Sequence, residues 1–143
     1  MTTAHEISTH TAALAFLLAG KATFTVVNDA TGGRFTFRVR RVEEEGRKPV
    51  HFVDLLAGPD NTSDFVRLGM IFDENRFVVP RSWTIGLDAP SAQAFRWVFG
   101  RLIRSRDLHT VRFLHEGRCG RCNRVLTVPE SIETGLGPVC AGK

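Results

Sequence analysis

A β-hairpin is predicted by the stretch Ala22-Thr-Phe-Thr-Val-Val-Asn28, Asp29-Ala-Thr-Gly-Gly33 and Arg34-Phe-Thr-Phe-Arg-Val-Arg-Arg-Val42. Both outer runs are rich in Phe, Val and Thr, and their apolar residues alternate with polar ones as in a half-buried strand. The glycine-rich segment between them is typical of a hairpin turn. In the second run, three apolar residues alternate with threonine and arginine, so one face of the predicted sheet is apolar and the other is cationic.

Further strands and one amphipathic helix complete the predicted fold. Turn-forming residues separate three more strand-like runs, at 51–56, 65–72 and 76–79. A short helix is predicted from Ser8 to Ala19, and a longer one from Ser91 to Arg104 with its apolar residues on one side. We therefore expect an α+β fold, in which an antiparallel sheet of about five strands packs on one main helix.

Length and composition indicate an ordinary globular chain. It has 143 residues, of which 43% are apolar and 24% charged, as expected for one domain. The apolar run Ala12 to Ala19 is too short to span a membrane, and no basic segment precedes it as in a secretion signal. All three cysteines lie from Cys119 onward, which favours a metal in a reducing compartment over a disulfide framework. We expect a cytoplasmic protein that binds no membrane.

Positive charge is concentrated in the C-terminal third. Eight arginines lie between Phe95 and Arg124, against two carboxylates, which indicates a surface for nucleic acid or for an acidic host protein. The candidate binding residues are Trp97, Arg101, Arg104, Arg106, Arg118, Arg121 and Arg124. Two alternatives stay open. The arginines can simply be the solvent-exposed residues of a helix and of the C-terminal segment, and Trp97 can be buried where the C-terminal segment folds back over it.

A zinc site is predicted near the C-terminus. A Cys-x2-Cys pair on a glycine turn is typical of a zinc knuckle and leaves two positions of a tetrahedral ion to fill. The predicted ligands of one structural Zn²⁺ are His115, Cys119, Cys122 and Cys140. This predicts two units, an α+β domain at 1–108 and a zinc-binding module at 109–143.

Other interpretations of the same residues are a disulfide between Cys119 and Cys122 and a redox-active Cys-x-x-Cys pair. The first needs an oxidising compartment, and the second lacks the helix N-terminus that lowers the pKa of a thiol. If His115 is not a ligand, the fourth position falls to His109, Glu116 or water. With four protein ligands, the zinc is structural rather than catalytic.

The C-terminal motif resembles a small zinc-ribbon-like family of unknown function that is found on phages, plasmids and other mobile elements. The residues that carry the resemblance are the Cys-x2-Cys pair, Pro129-Glu-Ser-Ile132 and Gly135-Leu-Gly137-Pro-Val-Cys140. The resemblance implies metal binding and a mobile-element setting, and it implies no reaction. Asn123 stands where the family usually has a glycine.

The sequence predicts a non-enzymatic protein. The acidic residues Asp54, Asp60, Asp64 and Asp73 are the one set of carboxylates that would suit a Mg²⁺-dependent nuclease, but several of them lie in turns. Neither a phosphate-binding loop of Walker type nor a nucleophile elbow occurs, and no small-molecule substrate is indicated. Two functions remain: a nucleic-acid-binding accessory protein of a phage or mobile element, and a protein-binding module or inhibitor that blocks a host defence factor.

Overall fold

The fold is taken from a computed structural model, which describes residues 5–7, 9–58, 64–80, 85–86, 88–116, 118–122 and 135–136. Within these ranges the chain forms a sheet and two helices. In chain order, the elements are β1 His5–Glu6, α1 His10–Leu17, β2 Lys21–Asn28, β3 Arg34–Val42, β4 Val50–Leu56, β5 Phe65–Phe72, β6 Arg76–Val78, α2 Pro90–Ile103 and β7 Val111–His115.

The strands form one antiparallel sheet in the order β1-β7-β2-β3-β4-β5-β6. The predicted hairpin is confirmed, since Lys21 pairs with Arg40 and Val27 pairs with Arg34. Five strands, β2 to β6, follow one another as the predicted meander. The sheet is wider than predicted because β1 and β7 extend it beyond β2.

Both helices cover the same face of the sheet. From α2, the Phe95 ring lies 5.2 Å from Phe37 of β3 and 4.7 Å from Phe77 of β6, measured between ring centroids. From α1, Phe16 packs edge-on against Phe113 at 6.0 Å. The α+β class is confirmed, but the helix layer consists of two helices where the sequence predicted one main helix. Neither helix in the described part of the chain is long and apolar enough to cross a membrane.

Strand β7 lies inside the sheet, between β2 and the short strand β1, which has only two residues. Its Phe113 stacks on Phe24 of β2 with a centroid distance of 4.4 Å. The predicted module 109–143 therefore begins with a strand that belongs to the sheet of the predicted domain 1–108. The division into two units stays a prediction, since residues 123–134 and 137–143 lie outside the described ranges.

Candidate functional site

The predicted zinc knuckle begins four residues after β7. Cys119 is buried, with 1% of its surface exposed, whereas Cys122 is exposed. The backbone N–H of Arg121 donates to the Cys119 Sγ at 3.4 Å. The turn thus directs one backbone N–H at the sulfur of its first cysteine.

Two backbone hydrogen bonds attach this turn to the rest of the molecule. The N–H of Lys21, at the start of β2, donates to the Gly120 carbonyl at 2.6 Å. The N–H of Gly120 donates to the Gly135 carbonyl at 2.8 Å. The second bond brings the chain back to the turn five residues before Cys140, the third predicted thiolate.

His115 lies at the end of β7 with 1% of its surface exposed. Its backbone pairs with that of His5 on one side and Phe24 on the other. The imidazole ring packs against Phe16, with ring centroids 5.7 Å apart. It lies two residues after Phe113 and therefore faces the helices. This places the predicted histidine ligand in the layer between α1 and the sheet.

The predicted ligands fit zinc in part. Among the described residues, no three His, Cys, Asp or Glu side chains form a group that could hold a metal, so His115, Cys119 and Cys122 are not brought together as three ligands. Cys140 lies outside the described ranges. The Cys-x2-Cys turn nevertheless supplies sulfur donors of the type that zinc prefers, and one backbone N–H donates to the first of them. Zinc binding therefore stays a prediction.

His109, the first alternative for the fourth ligand, lies at the opposite end of β7 from the knuckle. Its Nε2 is 2.8 Å from the Arg101 guanidinium and its Nδ1 is 3.2 Å from the Asp107 carboxylate. Both ring nitrogens are thus engaged in the loop between α2 and β7. His109 is a constituent of that loop and is not next to the cysteines.

The predicted binding residues on α2 form a small cluster. Trp97 is 42% exposed, and the guanidinium carbon of Arg101 lies 5.2 Å from the centre of its rings. Arg101 also hydrogen-bonds the Asp107 carbonyl and His109, so this guanidinium holds the loop in place. Four other predicted binding residues are exposed, and Arg124 lies outside the described ranges. The exposed four are Arg104, Arg106, Arg118 and Arg121.

The α2 cluster and the knuckle lie at opposite ends of β2. Trp97 and His109 line a groove of about 340 Å³ that also includes Asn28, the last residue of β2. The knuckle is bonded to Lys21, the first residue of the same strand. Seven residue steps of β-strand separate these ends by about 23 Å at 3.3 Å per residue. The structure therefore does not bring Trp97 and Arg121 together in one short site.

The carboxylates considered for a Mg²⁺ site do not form one among the described residues. Asp54 is 2% exposed, and its Oδ2 is 2.9 Å from the Arg38 guanidinium and 3.2 Å from that of Arg40. Asp73 lies in a turn with φ of 54°. Asp60 lies outside the described ranges. The buried carboxylate of Asp54 thus forms ion pairs with two arginines of β3 and, within the described part of the chain, is not arranged as a metal ligand.

A set of residues that the sequence interpretation missed lies on the sheet face opposite the helices, which we call the open face. Phe52 of β4 and Phe65 and Phe72 of β5 lie there, and each is half-buried. An arginine guanidinium lies over each of the three rings. The alternation in β3 predicted a cationic face but gave no information on the rings, which come from other strands.

Comparisons with known proteins bear on the C-terminal segment. Residues 112–143 match a family of unknown function (DUF6011). The match contains the end of β7, the Cys-x2-Cys turn and Cys140, and covers less than half of the chain. No curated protein and no solved structure matches the chain. The comparisons therefore agree with a family of unknown function at the C-terminus and add no activity.

Proposed function

We propose that this chain is a non-enzymatic, cytoplasmic nucleic-acid-binding accessory protein of a phage or other mobile element. The supporting observation is the cationic surface at the knuckle. Arg118 and Arg121 are exposed on the turn, and the hydrogen bond from Lys21 to Gly120 places the exposed Lys21 beside them. Clustered cations on an exposed turn are the usual contacts for backbone phosphates.

The proposal includes one structural zinc ion, held by His115, Cys119, Cys122 and Cys140. Bound zinc would hold the C-terminal segment against the knuckle, and a segment this short has few apolar side chains to bury in its place. The ion would fix the positions of the two arginines on the turn. It would contribute no step of a reaction.

A salt series tests nucleic-acid binding. Labelled single-stranded and duplex DNA are titrated with the full chain, and fluorescence anisotropy gives the affinity from about 50 mM salt upward. We expect the logarithm of the affinity to fall linearly with the logarithm of the salt concentration. Charge reversal at Arg121 is expected to weaken binding and make this slope shallower by about one phosphate contact.

Arg96→Glu serves as the matched control, because Arg96 is an exposed arginine of α2 on the helix side of the molecule. Its reversal is expected to leave the slope unchanged. A wild-type chain that binds neither DNA nor RNA at low salt would contradict the proposed function. Equal effects of the two reversals would show that net charge alone, and not the knuckle, determines the affinity.

The groove beside Trp97 supports a second candidate, a protein-binding module or an inhibitor of a host factor. Its lining is mainly apolar, with Val26, Phe35, Val98 and Val111 beside the tryptophan. Such a groove suits an apolar side chain of a protein partner, whose binding would respond little to salt. In this case Trp97→Ala abolishes partner binding and leaves any affinity for DNA unchanged.

A further inference from the structure

The open face of the sheet is unusual for a face that no helix covers in the described part of the chain. Exposed faces of antiparallel sheets normally carry polar side chains. Here Phe52, Met70 and Phe72 lie side by side on β4 and β5, since Phe52 pairs with Met70 and Phe72 is two residues further along. All three are half-buried. A cluster of large apolar side chains that stays partly exposed is a candidate binding surface.

Arginines lie over the rings of this face. The guanidinium carbon of Arg67 is 4.4 Å from the centre of the Phe52 ring, and that of Arg38 is 4.2 Å from Phe65. Arg76 lies over Phe72 at 5.2 Å. A guanidinium is planar and always charged, so it can contact an aromatic ring and a phosphate in the same complex. The face therefore combines stacking surfaces with positive charge.

A buried carboxylate orders the centre of this cationic layer. The Oδ2 of Asp54 accepts from Arg38 at 2.9 Å and from the Nε of Arg40 at 3.2 Å. One oxygen thus fixes two guanidiniums that project from the same strand. Arginines held in this way lose less side-chain entropy when a ligand binds.

A depression of about 220 Å³ lies on the same face, floored by Val50, Phe52, Met70 and Phe72. Arg47 and Glu44 lie at its rim and pair with each other at 3.6 Å. Its size and apolar floor suit one aromatic base. A continuous stacked duplex does not offer a base in this orientation.

We propose that the open face is a platform for single-stranded nucleic acid. Bases stack on the guanidiniums that lie over the phenylalanines and on the ring surface that these leave exposed, and phosphates contact the guanidiniums. This inference rests on the proposed function. It adds that the nucleic acid is single-stranded and that it binds on a surface distinct from the knuckle. Charge complementarity supports this occupant, because the exposed Arg34, Arg67 and Arg76 extend the positive charge along the strands. A duplex supplies phosphates but conceals its base faces, whereas a single strand offers a ring at every residue together with a phosphate. An acidic peptide supplies negative charge without a ring at every residue.

Substitutions at Arg67 test the platform. The probe is fluorescein-labelled oligothymidylate, and the affinity of the full chain is measured over a salt series. Arg67→Gln is expected to weaken binding about tenfold and make the salt slope shallower by about 0.7. Arg67→Lys keeps the charge but not the planar guanidinium, so it is expected to weaken binding with the slope unchanged.

Phe72→Leu tests the stacking surface separately, because it removes a ring and no charge. It is expected to weaken binding several-fold without a change of slope. Arg96→Gln, on the other side of the molecule, is the control and is expected to leave the affinity unchanged. Thermal unfolding of each variant shows whether it is folded. If the Phe72 variant is not, the Arg67 pair still decides the test, because Arg67 is an exposed side chain.

The outcomes separate this inference from the proposed function. If Arg67 and Phe72 variants bind as well as the wild type while Arg121→Glu binds weakly, the open face is not the platform and the proposed function stands. Tighter binding of duplex than of oligothymidylate, or equal displacement of the probe by polyglutamate, also overturns the platform. A wild-type chain that binds no nucleic acid at low salt overturns both.

Discussion

Gly120 donates its backbone N–H to the carbonyl of Gly135, at 2.8 Å, and both glycines lie against the ring of Phe16. A side-chain carbon on Gly120 would be 2.6 Å from the Phe16 Cδ2, and one on Gly135 would also overlap this ring. Phe16 belongs to α1, whereas the glycines belong to the predicted zinc-binding module. The contact thus joins the two ends of the chain through backbone atoms that only glycine leaves accessible.

Gly120→Ala is expected to destabilise the fold. The added methyl group must displace the Phe16 ring, which is enclosed by Phe24, Phe113 and His115. Overpacking of this kind costs about 1 to 3 kcal/mol. Urea unfolding measures the loss. Gly100→Ala is the control, because nothing lies within 4 Å of the added carbon. An alanine inside a helix is expected to raise stability by about 0.5 to 1 kcal/mol there. Equal stability of Gly120→Ala and the wild type would contradict the close contact.

Asp54→Asn is expected to lower the free energy of unfolding by about 1.5 to 3 kcal/mol, the usual range for a hydrogen bond to a charged group. The substitution keeps the shape of the side chain but removes the charge that pairs with Arg38 and Arg40. Glu43→Gln is the matched control, since its ion pair with Arg41 is exposed on both sides and is worth less than about 1 kcal/mol. If both variants lose the same small amount, the buried carboxylate does not stabilise the face.

His51 is expected to make stability depend on pH. Burial lowers the pKa of this imidazole below its ordinary value of 6.5, although the bond from Nε2 to the Leu18 carbonyl, at 3.1 Å, opposes the shift. The unfolded chain therefore takes up a proton that the folded chain resists. The stability that neutral His51 contributes is fully present above pH 6.5 and is lost as the pH falls from there toward the folded pKa.

The check is thermal unfolding of the wild type and of His51→Gln across this range. Glutamine retains an N–H donor for Leu18 and does not titrate, so the variant is expected to lose less stability between neutral and mildly acidic pH. Parallel curves for the two proteins would show that His51 does not cause the dependence.

Zinc is expected in the protein purified without chelator, at about one ion per chain by elemental analysis. Cys122→Ser is expected to remove the metal and unfold the C-terminal segment while far-ultraviolet circular dichroism keeps the signal of the sheet. His109→Ala is the control and is expected to retain the metal. Absence of metal from the wild type would contradict the zinc site. Full retention in His115→Leu would remove the histidine from the ligand set.

The sequence predicted the strands and helices close to their observed bounds where the pattern is local. The Phe and Arg alternation of β3 gave the strand Arg34–Val42 as observed, and the helix predicted from Ser91 to Arg104 is Pro90–Ile103. Side-chain periodicity and the helix-starting Pro90 depend on neighbouring residues alone. Such signals can be recognised without the rest of the chain.

Pairing between distant segments was not predictable in this way. Strand β1 has two residues, and its partners, His115 and Leu114, lie at the other end of the described chain. No periodicity can show in two residues. The rings on the open face were missed for the same reason, because Phe52 and Arg67 meet only through the pairing of β4 with β5. The distance between the groove at Trp97 and the knuckle could not be predicted either, because it depends on which end of β2 each of them contacts.

The position of β7 between β1 and β2 has a consequence for folding during synthesis. Until residues 111–115 leave the ribosome, β2 has no partner on that side and Phe24 lacks the ring of Phe113. An unpaired strand edge is a template for association with other chains. We expect a nascent chain or a translation product cut short before Val111 to be aggregation-prone, and completion of β7 to end that exposure.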